Sequence, residues 1–178
     1  TPVRGKGDIR LRIEKVNYFG NDYRFRYGDV ETDGARITKV EPRGDEPREG
    51  CDLLLPGLID LHLHGNSGAD FSDGDLEGLT TVARFLAQVG VTSFSPASMT
   101  LPEDQLLAAC RNAVRFRREA PAKAARLCGV TLEGPFFNVK KKGAQAAEYL
   151  RLPDFGLFSR LQAAAEGLIR IACVAPEL

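Results

Sequence analysis

LLLPGLIDLHLHG, residues 53–65, is the stretch on which the reading of this chain turns. Its apolar residues run almost unbroken, as in a strand buried between two layers of a parallel α/β sheet. The stretch ends on His62 and His64, the only two histidines in the sequence. Strand side chains alternate, so two residues spaced by two leave the same face. Two imidazoles on one face at a strand's end make either a pair of metal ligands or a hydrogen-bonded pair, and the spacing leaves both readings open.

Downstream, strands and helices alternate. Leu76, Leu79, Val82, Ala83, Phe85, Leu86 and Val89 recur at helical spacing, with Asp75 placed to cap the start and Gly90 to end the helix. VTSFSPAS (91–98) reads as a second strand. A second helix is expected after Pro102, running to about Arg118 with Leu106, Cys110, Ala113 and Val114 on one face. RLCGVTLEG (126–134) is a third strand, Phe155 to Ala165 a short third helix, and GLIRIACVAPE (167–177) a fourth strand. This rhythm predicts a parallel sheet covered by helices. A doubly wound sheet and a (β/α)8 barrel both fit, but the first strand carries no GxGxxG. Polar residues instead gather just past the strand ends, where barrel active sites lie. The fold expected over 56–178 is therefore a partial (β/α)8 TIM-type barrel of about four βα units.

Glu133 ends the third strand. A carboxylate closing an apolar strand is costly unless it is paired or bound to a metal. Gly134 and Pro135 then force a sharp exit that fixes where it points. A glutamate that merely begins a loop is the plainer alternative. Glu133, His62 and His64 together offer oxygen and nitrogen donors suited to zinc, iron or manganese, and so to activating water. Asp60 shares the histidines' face if the strand stays regular, either orienting a ligand or making a structural hydrogen bond. Ser93, Ser95 and Ser98 lack a nucleophile signature, and no GxSxG is present.

Upstream, IRLRIEKVNYF (9–19), YRFRYGDV (23–30) and ARITKVE (35–41) read as short strands, separated by the turn clusters Gly20-Asn21-Asp22 and Asp33-Gly34. Residues 1–55 are expected to form a small β unit, half of a sandwich, with the charged stretch 41–50 as a linker. Acidic and basic residues balance at 24 each, so no charge excess points to nucleic acid or an anionic membrane. Lys140-Lys141-Lys142 reads as a solvated loop. The four cysteines form no CxxC pair, and three lie in apolar stretches. Disulfides and a cysteine zinc site are not expected, and a reducing cytoplasm fits. No apolar run is long enough to span a membrane, and the opening TPVRGKGDIR lacks the apolar core of a signal peptide.

LLLPGLIDLHLHGNSGADF (53–71) resembles the first barrel strand of amidohydrolases, with its PG-x-ID-x-H-x-H pattern, and GVTSFSPASMT (90–100) resembles their second strand. GVTLEGPFF (129–137) followed by KKKGAQ (140–145) is similar to a stretch particular to the N-acetylglucosamine-6-phosphate deacetylases. That resemblance implies hydrolysis of the acetamide of N-acetylglucosamine 6-phosphate to glucosamine 6-phosphate and acetate, in amino-sugar catabolism. It makes Glu133 a metal ligand and matches His62 and His64 to the HxH of members able to hold a second ion. One or two divalent ions per site, zinc above all, are implied. Ala144 and Gln145 align with a pair that contacts the sugar. The second position is often histidine in the family; glutamine still hydrogen-bonds but carries no charge.

The resemblance also implies an aspartate acting as general base and acid, on a strand beyond this sequence, so no catalytic residue is assigned within the chain. Counting agrees, because a full barrel takes roughly 250 residues and about 120 follow the β unit. Four βα units leave outer strands unpaired, and a homo-oligomer, a dimer, is expected. Alone, the chain is expected to show no deacetylase activity. Two other functions compete: an amidohydrolase acting on cyclic amides, as dihydroorotases and hydantoinases do, and a catalytically dead half barrel serving as a binding module.

Overall fold

The computed structural model describes residues 10–178, so the opening TPVRGKGDI lies outside the described residues. Contacts divide the chain into two units, Thr1–Pro56 and Gly57–Leu178.

The first unit is one sheet. Strands β1 (Arg10–Phe19), β2 (Phe25–Asp33), β3 (Arg36–Gly44) and β4 (Leu53–Leu54) lie in the order β3-β2-β1-β4. β1 pairs antiparallel with β2, β2 antiparallel with β3, and β4 runs parallel to β1. The expected linker begins too early, because β3 continues through Pro42, whose partner is Gly28. Proline is tolerated there since β3 is an edge strand and one side of its backbone needs no partner. A bulge interrupts β1 between Ile13 and Val16. It turns the Lys15 amide onto the Asp29 carboxylate, which also receives Arg12 and Arg43.

The second unit alternates strands and helices. β5 (Leu58–Leu63) is followed by a short hairpin, β6 (Gly65–Asn66) and β7 (Ala69–Asp70), and a single helical turn Phe71–Asp73. Then come α1 (Leu76–Gln88), β8 (Val91–Pro96), α2 (Glu103–Glu119), β9 (Arg126–Leu127), β10 (Val130–Glu133), α3 (Phe155–Ala164) and β11 (Ile169–Cys173). Asp75 caps α1 by accepting from the Gly78 amide, as its place in the sequence suggests. β5, β8 and β9 form one parallel sheet, and β10 and β11 another. A parallel bridge between Ala97 and Thr131, with the Ser98 amide donating to Thr131 O, joins the two. The core gathers Leu79, Val82, Ala83 and Leu86 of α1, Leu106, Cys110, Ala113 and Phe116 of α2, Leu157 and Leu161 of α3, and Phe94, Leu127, Val130 and Leu132 of the strands.

Two expectations need correction. The third strand is broken at Cys128-Gly129: β9 pairs with β8, whereas β10 turns to pair with β11. The histidine-bearing strand is not buried either. Pro56 separates Leu53 and Leu54, which pair with β1, from β5, which is the edge of its own sheet. Leu58, Ile59 and Leu61 are consequently 62%, 64% and 54% exposed. Phe85 and Val89 also fall outside the buried face of α1, because the stripe that meets the core is narrower than the run of apolar residues. Among the described residues, no helix is long and apolar enough to cross a membrane.

Candidate metal centre

β5 shifts register against β8 between Asp60 and Leu63, the interval that contains His62, and His64 follows the last residue of the strand. The Asp60 carboxylate settles the local backbone: its Oδ1 accepts from the His62 amide at 3.0 Å. Of the two roles open to Asp60, the structural hydrogen bond is the one formed. The His62 and His64 rings stand nearly perpendicular, 89° apart, with centroids separated by 5.3 Å. They do not stack face to face, and their nitrogens remain free to converge elsewhere.

They converge on Glu133. Its Oε2 lies 2.7 Å from His62 Nε2 and 3.3 Å from His64 Nε2. One donor atom from each of the three residues fits within 4.8 Å of the others, so the group could hold a metal ion.

The hydrogen bonding around this trio is informative. His64 Nδ1 lies 3.1 Å from the carbonyl oxygen of Ala97. A carbonyl only accepts, so Nδ1 carries the proton, and in the neutral tautomer Nε2 presents a lone pair. That lone pair faces a carboxylate oxygen, which is also only an acceptor. Glu133 Oε2 is inaccessible to solvent and makes no hydrogen bond, despite the two nearby nitrogens. The Glu133 oxygen and the His64 lone pair, gathered at such range, are stable around a cation. The donor set of two imidazoles and a carboxylate suits zinc or a similar divalent ion.

The other carboxylate oxygen is satisfied by one hydrogen bond. Glu133 Oε1 accepts from Gln145 Nε2 at 2.9 Å, and Gln145 Oε1 accepts from the Thr100 amide at 2.7 Å. Gln145 is buried, whereas Ala144 beside it is exposed. The Glu133 amide donates to Ser98 Oγ at 3.2 Å. Behind Glu133, Gly134 takes φ +82°, and a Cβ there would lie 2.0 Å from Thr100 Oγ1. Only glycine allows the chain to leave the strand this close to Thr100. Sequence reasoning found the three donors but missed Ala97, Ser98 and Thr100. Their contributions are a carbonyl, a hydroxyl and an amide that no motif marks, although all sit just past the end of β8, the region where polar residues were seen to gather.

No family model matches the chain. Over 153 residues it is 39% identical to an N-acetylglucosamine-6-phosphate deacetylase of Bacillus subtilis (strain 168), covering 84% of this chain and 38% of that protein. It is 35% identical over 159 residues to an N-acetylgalactosamine-6-phosphate deacetylase of Escherichia coli O157:H7, covering 88% of this chain and 40% of that one. The crystal structure of the N-acetylglucosamine-6-phosphate deacetylase of Thermotoga maritima superposes with a TM-score of 0.73 at 33% identity, over 84% of this chain and 39% of that one. The chain thus spans about two fifths of the length of the relatives it matches. In sequence and in fold, it is a relative of the N-acetylglucosamine-6-phosphate deacetylases, matching a segment that makes up less than half of those proteins.

Proposed function

We propose that this chain supplies the metal-holding part of a site that removes the acetyl group from N-acetylglucosamine 6-phosphate, releasing glucosamine 6-phosphate and acetate. The observation that carries the proposal is the buried, unpartnered Oε2 of Glu133 facing the Nε2 atoms of His62 and His64. Glu133, His62 and His64 would hold one divalent ion, zinc by preference, with iron or manganese compatible with the same donors. Such an ion supplies Lewis acidity, lowering the pKa of water and polarising an amide carbonyl.

The chain's own residues do the rest of what this segment contributes. Glu133 provides the negative charge that makes the trio a cation site. The Ala97 carbonyl holds His64 in the tautomer that leaves Nε2 unprotonated. By resemblance Ala144 and Gln145 meet the sugar; Ala144 is exposed for that role, whereas Gln145 is buried with both ends of its amide engaged. The aspartate that would carry the proton is assigned, by the same resemblance, to a strand outside these residues. The parallel pairing of β5, β8, β9, β10 and β11 supports reading residues 57–178 as about four βα units of a (β/α)8 barrel. The single sheet before it is read as part of a sandwich. The four free cysteines fit a reducing cytoplasm.

The test is acetate release from N-acetylglucosamine 6-phosphate by the protein that contains this chain, with Glu133→Ala as control. N-acetylgalactosamine 6-phosphate belongs in the same assay, because one relative carries that specificity in its name. Turnover of a cyclic amide with neither sugar phosphate deacetylated would replace the proposal. Zinc uptake by the chain itself separates a metal site from an inert half barrel.

A further inference from the structure

We infer that Gln145 is a positioning residue that holds Glu133 as a one-oxygen ligand, acting on the metal through the carboxylate. The inference rests on the metal reading of the His62, His64 and Glu133 trio.

A glutamine side chain has two ends of opposite function: the oxygen only accepts and the NH2 only donates. The backbone N–H of Thr100 can only donate, so Gln145 Oε1 must face it, as it does at 2.7 Å. That contact forces Nε2 towards Glu133, whose Oε1 can only accept, at 2.9 Å. The amide therefore has one permitted orientation. Burial keeps water from replacing either partner, since Gln145 is 5% exposed. Its own backbone is tied down as well: its N–H donates to Lys142 O, and its carbonyl accepts from Lys142 Nζ at 2.8 Å.

The consequence for Glu133 is a division of labour between its oxygens. Oε1 is held by Gln145, and Oε2 is left facing the imidazoles. A ligand whose orientation is set before the ion arrives loses less freedom on binding. Without Gln145 the carboxylate can turn about its last torsion, and Oε1 becomes a second unsatisfied atom.

The experiment is a competition titration of the 178-residue chain with Zn2+ and a chromophoric chelator. Three proteins are compared: wild type, Gln145→Met, which keeps length and bulk but neither hydrogen bond, and Gln145→His. An imidazole carries a donor and an acceptor nitrogen, the same two functions as the amide. Q145M should bind zinc about tenfold or more weakly than wild type while still melting cooperatively without metal, at a somewhat lower temperature for the two hydrogen bonds lost, and Q145H should recover most of the affinity. Should Q145M fail to fold, Gln145→Asn keeps the chemistry but is one methylene too short to reach both partners, and the same loss is expected. Folded Q145M or Q145N binding as tightly as wild type overturns the inference. So does a loss that Q145H leaves unrepaired, since bulk would then matter and hydrogen bonding would not. A wild-type chain that takes up no zinc overturns the metal reading itself, a result distinguishable from both.

Discussion

Each unit contains a carboxylate drawn in from solvent, and the two are treated in opposite ways. In the first unit, Asp29 has both oxygens satisfied. Oδ1 accepts from the Lys15 amide at 3.0 Å and Arg43 Nε at 2.8 Å, and Oδ2 from Arg12 at 2.7 Å and Arg43 at 2.9 Å. In the second unit, Glu133 has one oxygen satisfied and the other without a hydrogen bond, facing two imidazole nitrogens. A completed carboxylate holds strands together. An incomplete one costs stability and is retained where something else is meant to complete it. The contrast tells a structural acid from a candidate ligand without reference to any relative.

The largest effect should come from removing the incomplete acid. Glu133→Ala is expected to abolish measurable zinc uptake in the chelator titration while lowering metal-free stability only modestly, because the loss of an unsatisfied buried oxygen offsets the loss of the partner of Gln145 Nε2. Marked destabilisation on this change would show that Glu133 is structural like Asp29 and erase the distinction. Gly134→Ala comes next. A left-handed φ with a methyl group against Thr100 Oγ1 should cost about 2 kcal/mol or more in urea unfolding, and zinc affinity should fall with it.

Asp29→Asn should act on stability alone. Arg43, followed by the Lys15 amide and Arg12, holds the Asp29 carboxyl well below its ordinary 3.8. A depressed acid stabilises the fold above its unfolded value, and that stabilisation disappears as pH falls through the folded value. Asp29→Asn should therefore lower the melting temperature at neutral pH, with the gap from wild type closing once pH drops below about 4. Added salt should narrow the gap too, because Arg12 and Arg43 are partly exposed. Zinc uptake should not change.

The smallest effect is a matter of timing. Burial pushes the Cys110 thiol up to about 11. In native protein at about pH 8 it should resist maleimide, reacting only as the second unit opens. Cys51, in the first unit and partly exposed, should label sooner. Simultaneous labelling of the two would mean that the units do not open separately.

Much of this was legible in the sequence where the signal is local. His62 and His64 announce a shared face by a spacing of two, and Leu106, Cys110, Ala113 and Val114 announce a buried helical stripe that the structure forms. Asp75 reads as a cap because its partner, the Gly78 amide, belongs to the first turn of the same helix. What escaped was settled by distant partners. Gln145 finds Thr100 across 45 positions, and neither residue type advertises the contact. The break at Cys128-Gly129 arises because β8 and β11 each claim one end of what looked like a single strand. The exposure of Leu58, Ile59 and Leu61 depends on β5 being an edge, which an unbroken apolar run cannot reveal.

The three donors come from strands about 70 residues apart in the chain, and they meet only once β5, β8 and β10 have been stitched together through Ala97 and Thr131. A random coil offers an ion nothing comparable. Zinc at a hundred times its dissociation constant would therefore raise the unfolding free energy by about 2.7 kcal/mol. The ion would act as an inspector of assembly, remaining only on molecules whose strands have closed in the right order, and its supply would set how many of them survive.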